Sequence, residues 1–289
     1  MKTLPPGYRR TAGVAGMGRS GAAAARLLAS RGYDVTGFDS SHEACKPGFV
    51  SRLVTGTPSP DSIRGLAMMV LSPGIPPSAD VCRMCREADV PVMAEVELAW
   101  AASRAETVAI TGSNGKTTTV EWTRHVLDSV PGFKGAVAAG NVGYAFSDAV
   151  LERPDCPVFV LELSSYQLEL IEDLKPHVAA FLNLTPDHLA RHGTMEAYGD
   201  AKARIFMNQD RRDTSILNLD DPALERFEHT AGGTVMHFSL ERRVARGAWM
   251  DSDGYLVFSN GEHDIRVIHS KDLPVPGRHN AANALAVIC

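Results

Sequence analysis

The residues between positions 112 and 118 combine glycines, a lysine and hydroxyl side chains in an order that suits phosphate binding: Gly112-Ser113-Asn114-Gly115-Lys116-Thr117-Thr118. The apolar run before them, 107–110, predicts a buried strand, and the residues from Lys116 to about Ser129 predict a helix. Backbone N–H groups in such a turn attract phosphate oxygens, and the lysine reaches the outer phosphates. The Thr117 hydroxyl is placed to bind Mg²⁺. The segment therefore predicts an ATP-type nucleotide site.

A second glycine-rich turn lies near the N-terminus: Gly16-Met17-Gly18-Arg19-Ser20-Gly21. It stands between a predicted strand at 12–16 and a predicted helix at 20–30, and Asp39 follows the next predicted strand. This pattern places a diphosphate on a helix N-terminus and a carboxylate on a ribose hydroxyl. A UDP-linked ligand and NAD both fit it, and glycines needed only for a tight turn remain a third interpretation. The separate ATP-type turn favours the UDP-linked ligand.

A carboxylate at the end of another apolar run is a candidate partner for the ATP-type turn. The run from Val158 to Glu162 predicts a buried strand, and P-loop enzymes hold Mg²⁺ with an acidic residue in such a position. The alternative is a strand-terminal glutamate that only supplies charge to a helix N-terminus.

Length and composition describe a globular protein with two domains. The 289 residues are long for one core, and 44% hydrophobic with 22% charged residues is an ordinary balance. A net charge of −5 gives no basic surface for nucleic acid, and no apolar stretch reaches the length of about 18 residues that a membrane span needs. Five cysteines at irregular spacing fit reduced thiols. We therefore expect a cytoplasmic protein that binds neither nucleic acid nor membranes.

Strands and helices alternate along the first hundred residues, which favours a parallel sheet covered by helices. After the glycine-rich turn we expect strands at 34–38, 66–71 and 90–93, with a helix at 79–87. The polar stretch 102–106 separates them from the strand of the ATP-type turn. We therefore predict an α/β protein with a Rossmann-like domain over 1–104 and a domain of the P-loop ATPase type over 105–289.

The second predicted domain adds further strands and ends in a different pattern. We expect strands at 135–139, 158–162, 178–182 and 214–219, with a helix at about 195–208. Short alternating runs between 233 and 268 predict a small antiparallel β segment. The chain stops within a predicted apolar helix, 281–289, without a C-terminal cap, which predicts a truncated polypeptide.

Several motifs resemble those of the Mur ligases. A general P-loop has a glycine five residues before Gly115, whereas this chain has Ile110 and the compact turn that Mur ligases share with folylpolyglutamate synthases. The stretch 162–168, Glu-Leu-Ser-Ser-Tyr-Gln-Leu, resembles the D-glutamate-adding branch of the family. Further matches follow in family order at 72–75, 140–143, 183–189, 201–206 and 276–283.

The resemblance implies an ATP-dependent ligase of peptidoglycan precursor synthesis. ATP would phosphorylate the carboxylate of UDP-N-acetylmuramoyl-L-alanine, and the amine of D-glutamate would capture the acyl phosphate. ATP would be bound by the residues of the turn, 112–118, and by Asn280 and Asn283. The residues that would bind the UDP-linked substrate are Met17, Ser20, Asp39, Gly74, Asn141, Ser164, Gln167 and His188.

The resemblance also assigns catalytic and metal-binding roles. Lys116 would neutralise charge on the transferred phosphoryl group, and Thr117 with Glu162 would hold one Mg²⁺ ion. His188 and Lys202, carbamylated by addition of CO₂, would hold a second Mg²⁺ ion. Ser40 and Ser41 stand where several relatives carry a basic residue, so the contacts to uridine stay open.

The family places the D-glutamate site in a third, C-terminal domain that this chain lacks. We therefore expect the 289-residue chain to be a monomer that binds the UDP-linked substrate, binds ATP more weakly and does not ligate. One alternative is a non-catalytic nucleotide-binding fragment. The other is a nicotinamide-dependent oxidoreductase, which leaves the turn at 112–118 unexplained.

Overall fold

The chain divides into two compact units. A computed structural model describes residues 11–289, so the first ten residues of the predicted N-terminal domain lie outside the described part of the chain. The first unit contains the residues up to Arg104 together with two later segments, Ala139–Cys156 and Tyr166–Leu174. The second unit contains the remaining segments, Ala105–Ala138, Pro157–Ser165 and Lys175–Cys289.

The first unit is built on a five-stranded parallel sheet. Its elements up to residue 104 are β1 (Thr11–Ala15), α1 (Arg19–Ser30), β2 (Asp34–Asp39), β3 (Arg52–Thr55), α2 (Pro60–Ile63), β4 (Met69–Leu71), α3 (Asp80–Glu87), β5 (Val92–Ala94) and α4 (Glu95–Ala102). The strand order is β3-β2-β1-β4-β5, and every neighbouring pair is parallel. The order reverses beside β1, and doubly wound sheets bind ligands at such a point. The predicted Rossmann-like sheet is confirmed.

The strands from residue 105 onward form a larger mixed sheet. The elements from residue 105 onward are β6 (Glu106–Thr111), α5 (Lys116–Asp128), β7 (Val137–Gly140), α6 (Phe146–Glu152), β8 (Val158–Glu162), α7 (Ser165–Leu168), β9 (Val178–Phe181), α8 (Leu189–His192), α9 (Met195–Ala203), β10 (Thr214–Asn218), β11 (Thr234–Ser239), β12 (Gly247–Met250), β13 (Tyr255–Ser259), β14 (Asp264–His269) and α10 (Arg278–Ile288). The strand order is β14-β13-β12-β11-β10-β9-β6-β8-β7. Neighbours from β12 to β8 are parallel, which places the ends of β6 and β8 at the same edge.

The predicted antiparallel segment is confirmed in part. Strands β12, β13 and β14 form antiparallel pairs, but β11 is parallel to both of its neighbours, so that part of the prediction is wrong. The alternation of apolar and polar residues has the same period of two in either pairing, and it therefore carries no direction. The connection before β11 contains a 3₁₀ helix over Pro222–Thr230, which buries Leu224 and Phe227.

Apolar side chains from strands and helices form the core of the second unit. Ile110, Val160 and Ile216 come from three parallel strands, and Leu285 of α10 packs among them. Helix α10 thus lies against the sheet next to α5. Along residues 11–289, no helix combines the length and the apolar character that a membrane span requires.

Helix α4 places two buried carboxylates in the first unit. Oε1 of Glu95 accepts the backbone N–H of Ser147 at 2.7 Å, while Oε2 is buried without a hydrogen-bond partner among residues 11–289. Burial raises the pKa of Glu95 to about 7, and the charge of Asp148 adds to the rise. Glu97 accepts three backbone N–H groups from the segment that ends at Leu174. Both carboxylates therefore fix chain segments that lie far away in sequence.

Replacing Glu95 by Gln should change how stability depends on pH. Folding raises the pKa of this acid from 4.5 to about 7, so the folded protein binds the proton more tightly and loses stability as the pH rises through this range. We expect Glu95→Gln to be more stable than the wild type by up to about 3 kcal/mol at pH 8, with the difference shrinking toward pH 5.

Urea denaturation between pH 5 and 8 measures this difference. Glu43→Gln, at an exposed position of the same unit, is the control and should follow the wild type. Parallel pH profiles for Glu95→Gln and the wild type would contradict the account.

Candidate nucleotide-binding site

The turn between β6 and α5 has a backbone that only glycine allows at one position. Gly115 has a φ of 82°, and a Cβ there would lie 2.4 Å from Oδ1 of Asn283. Gly115 is also the N-cap of α5, and it has no side chain to accept the first N–H groups of the helix. Such N–H groups at a helix N-terminus favour an anion. The structure thus brings Asn283 of α10 against the phosphate-binding turn that the sequence predicts.

Two lysine side chains converge on one carbonyl of this turn. Nζ of Lys116 donates hydrogen bonds to the carbonyl oxygens of Gly112 and Ser113, at 2.8 and 2.9 Å. Nζ of Lys202, on α9, donates to the same Gly112 oxygen at 2.8 Å. Lys202 is 1% exposed, and its Nζ lies 4.7 Å from the centroid of the Tyr198 ring. The turn thus brings the amino groups of two lysines together at the place predicted for a phosphate.

The environment lowers the pKa of both lysines. Burial is the main cause for Lys116, and the carboxylates of Glu162 and Asp187 oppose it. Burial lowers the pKa of Lys202 to about 7, and the charge of Lys116 lowers it further. Near neutral pH the Lys202 amine is therefore partly uncharged, which is the form that acts as a nucleophile.

A hydroxyl and a carboxylate meet beside the lysines. Oγ1 of Thr117 donates to Oε2 of Glu162 at 2.7 Å, and Glu162 is 2% exposed at the end of β8. Because β8 is the parallel neighbour of β6, its last residue lies next to the turn that follows β6. Hydroxyl and carboxylate oxygens are ligands that suit a hard cation such as Mg²⁺.

The loop after β9 holds the turn in place. Asn183 accepts the backbone N–H of Asn114 at 2.8 Å and donates to its carbonyl oxygen at 3.0 Å. Oγ of Ser113 donates to the carbonyl oxygen of Thr185 at 2.9 Å. Asn183 belongs to a motif that resembles the family's, but the sequence alone predicts no role for it. A role for Asn183 could have been predicted from its position, because an amide shortly after a buried strand lies at the edge of the sheet where the nucleotide would bind.

His188 lies on the same loop, near the lysine of α9. It has a φ of 52° and precedes α8, and its Nε2 is 3.3 Å from Oδ2 of Asp187. Its ring centroid is 6.2 Å from that of Tyr198, the residue whose ring faces Lys202. The structure thus groups His188 with Lys202 through a shared aromatic neighbour.

A cavity of about 460 Å³ adjoins the turn and is lined by amides and apolar groups. Its walls include Asn114, Asn183, Asn218 and Asn283 together with Leu182 and Phe238. Apolar walls with a few amides suit a planar base that presents donors and acceptors. Asn218, the last residue of β10, is a lining residue that the sequence alone did not predict. Asn280 is not among the lining residues, and its Nδ2 donates to the carbonyl oxygen of Pro276 at 2.9 Å.

The first unit contains the other glycine-rich turn, between β1 and α1. A Cβ at Gly21 would lie 1.8 Å from the carbonyl oxygen of Gly16, so only glycine fits at this position. Oδ2 of Asp39 accepts the N–H of Met17 at 2.7 Å, and its Oδ1 accepts the N–H of Ser41 at 2.9 Å. Asp39 therefore shapes the turn itself. It also lines a cavity of about 420 Å³ together with Gly16 and Gly74.

The residues predicted for the UDP-linked substrate are divided between the two units. Six belong to the first unit, namely Met17, Ser20, Asp39, Gly74, Asn141 and Gln167. Ser164 and His188 belong to the second. Within the first unit, Nη2 of Arg19 donates to the carbonyl oxygen of Asn141 at 3.0 Å, which ties this segment to the glycine-rich turn.

Comparison with known proteins agrees with this geometry. Residues 110–289 match the family model of the Mur ligase middle domain. A UDP-N-acetylmuramoylalanine–D-glutamate ligase of Lachnoclostridium phytofermentans is 35% identical over 95% of this chain and 62% of its own length. A ligase of the same name from Koribacter versatilis is 39% identical over 96% of this chain and 62% of its own length. The chain thus spans 62% of the length of these two curated relatives.

A solved structure supports the fold. The UDP-N-acetylmuramate:L-alanyl-gamma-D-glutamyl-meso-diaminopimelate ligase of Neisseria meningitides aligns with a TM-score of 0.58 and 17% identity, over 96% of this chain and 92% of that one. This likeness confirms the predicted architecture of parallel sheets covered by helices. The family model covers more than half of the chain and includes both Lys116 and Lys202, so the chain belongs to the Mur ligase family.

Proposed function

We propose that this protein is an ATP-dependent amide ligase that joins D-glutamate to UDP-N-acetylmuramoyl-L-alanine in peptidoglycan precursor synthesis. The observation that carries the proposal is the convergence of Lys116, Lys202 and the Thr117–Glu162 pair on the turn after β6. The substrates are those in the names of the curated relatives.

The proposed reaction has two steps. A carboxylate oxygen of the UDP-linked substrate attacks the γ-phosphorus of ATP, the bond to the bridging oxygen breaks, and ADP leaves. The amine of D-glutamate then attacks the acyl carbon, phosphate leaves, and the nitrogen loses a proton to give the amide. Lys116 neutralises charge that develops on the transferred phosphoryl group, so catalysis depends mainly on positioning and electrostatics.

The side chains around the turn fit two magnesium ions. Thr117 and Glu162 would hold one, and His188 with carbamylated Lys202 the other. No group of three His, Cys, Asp or Glu residues among positions 11–289 is arranged to bind a metal, so phosphate oxygens would complete the coordination. When bound, the ions neutralise charge on the phosphates.

The two units have separate proposed roles. The turn at Gly16–Gly21 in the first unit would bind the diphosphate of the UDP-linked substrate. The turn at 112–118 in the second unit would bind the phosphates of ATP, with adenine in the cavity lined by Asn218 and Asn283. Three further properties stay predictions: the contact of Asn280 with adenine, the monomeric state and the cytoplasmic location.

Calorimetric titration of the 289-residue chain tests the ligand of the first unit. We expect UDP-N-acetylmuramoyl-L-alanine to bind and NADH not to bind. Asp39→Asn should weaken the affinity for the UDP-linked substrate about tenfold, because an amide cannot accept both the N–H of Met17 in the turn and the N–H of Ser41 after β2.

Asp34→Asn is the matched control, since Asp34 is exposed at the other end of the same strand, and it should bind like the wild type. NADH binding without a response to the UDP-linked substrate would support the oxidoreductase alternative and reject the proposal.

Carbamylation of Lys202 should be visible by ¹³C NMR in the presence of labelled bicarbonate. Only the neutral amine adds CO₂, and the pKa of Lys202 is lowered to about 7. We therefore expect a carbamate signal at pH 8 that fades as the pH falls below 7. Lys202→Arg should abolish the signal, whereas Lys175→Arg should keep it, because ion pairs raise the pKa of Lys175. An unchanged signal in Lys202→Arg would rule out this site.

A further inference from the structure

Two segments that follow the strand β6 in sequence belong to the first unit, and each carries one residue predicted to bind the UDP-linked substrate. Asn141 lies in Ala139–Cys156 and Gln167 lies in Tyr166–Leu174. The chain enters and leaves the shorter segment from residues of the second unit. The position of Gln167 within the first unit therefore depends on contacts that this short segment makes there.

Glu97 makes the contact at the far end of the shorter segment. Its Oε2 accepts the N–H groups of Glu172 and Leu174, at 3.0 and 3.2 Å, and its Oε1 accepts that of Asp173, at 2.9 Å. One carboxylate thus satisfies three consecutive backbone donors. Hydrogen bonds to an ionised acceptor are about twice as strong as neutral ones.

Burial raises the pKa of the Glu97 carboxyl, and the three backbone N–H groups oppose this rise by favouring the charged form. Glu97 is 3% exposed and lies in the first turn of α4, where the helix dipole favours an anion. The segment contributes three side chains that are fully buried, namely Leu168, Ile171 and Leu174. Polar and apolar contacts therefore fix both the backbone and the side chains between Gln167 and Leu174.

We propose that Glu97 is a positioning residue for the UDP-linked substrate, because its carboxylate holds the backbone of the segment that carries Gln167. Gln167 is 2% exposed and lies in α7, five residues before the first N–H group that Glu97 accepts. This inference rests on the proposed function, since it requires the first unit to bind the UDP-linked substrate.

Glu97→Gln tests the role with little change in size. A glutamine offers one acceptor oxygen and turns an NH₂ group toward the donors, so it cannot hold all three N–H groups. We expect the Kd for UDP-N-acetylmuramoyl-L-alanine to rise at least about tenfold, as for the loss of one charge-assisted hydrogen bond. The Kd for ADP should stay within about twofold, because the turn at 112–118 belongs to the other unit.

Glu95→Gln is the matched control on the same helix. Glu95 accepts a single N–H, from Ser147, and the carbonyl oxygen of a glutamine can accept it equally well. This variant should bind the UDP-linked substrate like the wild type. Hydrogen–deuterium exchange at the amides of residues 172–174 should be faster in Glu97→Gln and unchanged in Glu95→Gln.

Affinities are measured by calorimetry at a temperature where circular dichroism shows each variant to be folded. A folded Glu97→Gln that binds the UDP-linked substrate as tightly as the wild type overturns the inference and leaves the proposed function intact. A wild type that does not bind this substrate overturns both. If Glu97→Gln does not fold, Glu97→Asp keeps the charge but shortens its reach. The same loss of affinity then supports the inference, and unchanged affinity overturns it.

Discussion

The carbonyl oxygen of Gly112 accepts hydrogen bonds from the Nζ atoms of Lys116 and Lys202, and this contact joins the turn after β6 to α9. Lys116 comes from the helix after the turn, whereas Lys202 reaches it from α9, almost ninety residues later in the chain. Burial lowers the pKa of Lys202 to about 7, and the charge of Lys116 lowers it further, because few water molecules screen two cations at one oxygen. An anion at the turn would favour the charged form of both lysines, as the predicted phosphate site requires.

The residues around the turn are brought together by the parallel strands of the second sheet. Strand β6 has β9 and β8 as parallel neighbours, so the chain segments after all three strands end at one edge. Those segments supply the turn itself, the Glu162 carboxylate and the loop with Asn183 and His188. Helix α10 packs on the same sheet and brings Asn283 within reach of Gly115. A parallel sheet is therefore what allows residues distant in sequence to meet at one phosphate-binding turn.

Local sequence patterns correctly predicted the helices and strands that have a clear apolar run or a glycine-rich start. The strand Val158–Glu162 has the predicted bounds, and the helix after the turn begins at Lys116 as expected. Helix α4 was not predicted. Its two glutamates are buried, but a glutamate whose hydrogen-bond partners are unknown is expected at the surface. The sequence also gave no sign that residues 139–156 belong with the first unit, since contacts such as Arg26 with Asp148 span more than a hundred positions. Of the amides that line the cavity, Asn114 and Asn283 were predicted to bind ATP, whereas Asn218 is marked by nothing except its place at the end of a strand.

The account depends most on the claim that ATP activates a carboxylate of the UDP-linked substrate as an acyl phosphate. Transfer of ¹⁸O tests this claim directly. The carboxylate of UDP-N-acetylmuramoyl-L-alanine is labelled with ¹⁸O, a full-length protein that contains this chain is supplied with ATP, Mg²⁺ and D-glutamate, and the released phosphate is examined by mass spectrometry. The account predicts one ¹⁸O atom in each phosphate formed together with the amide. Amide formation with unlabelled phosphate would contradict it.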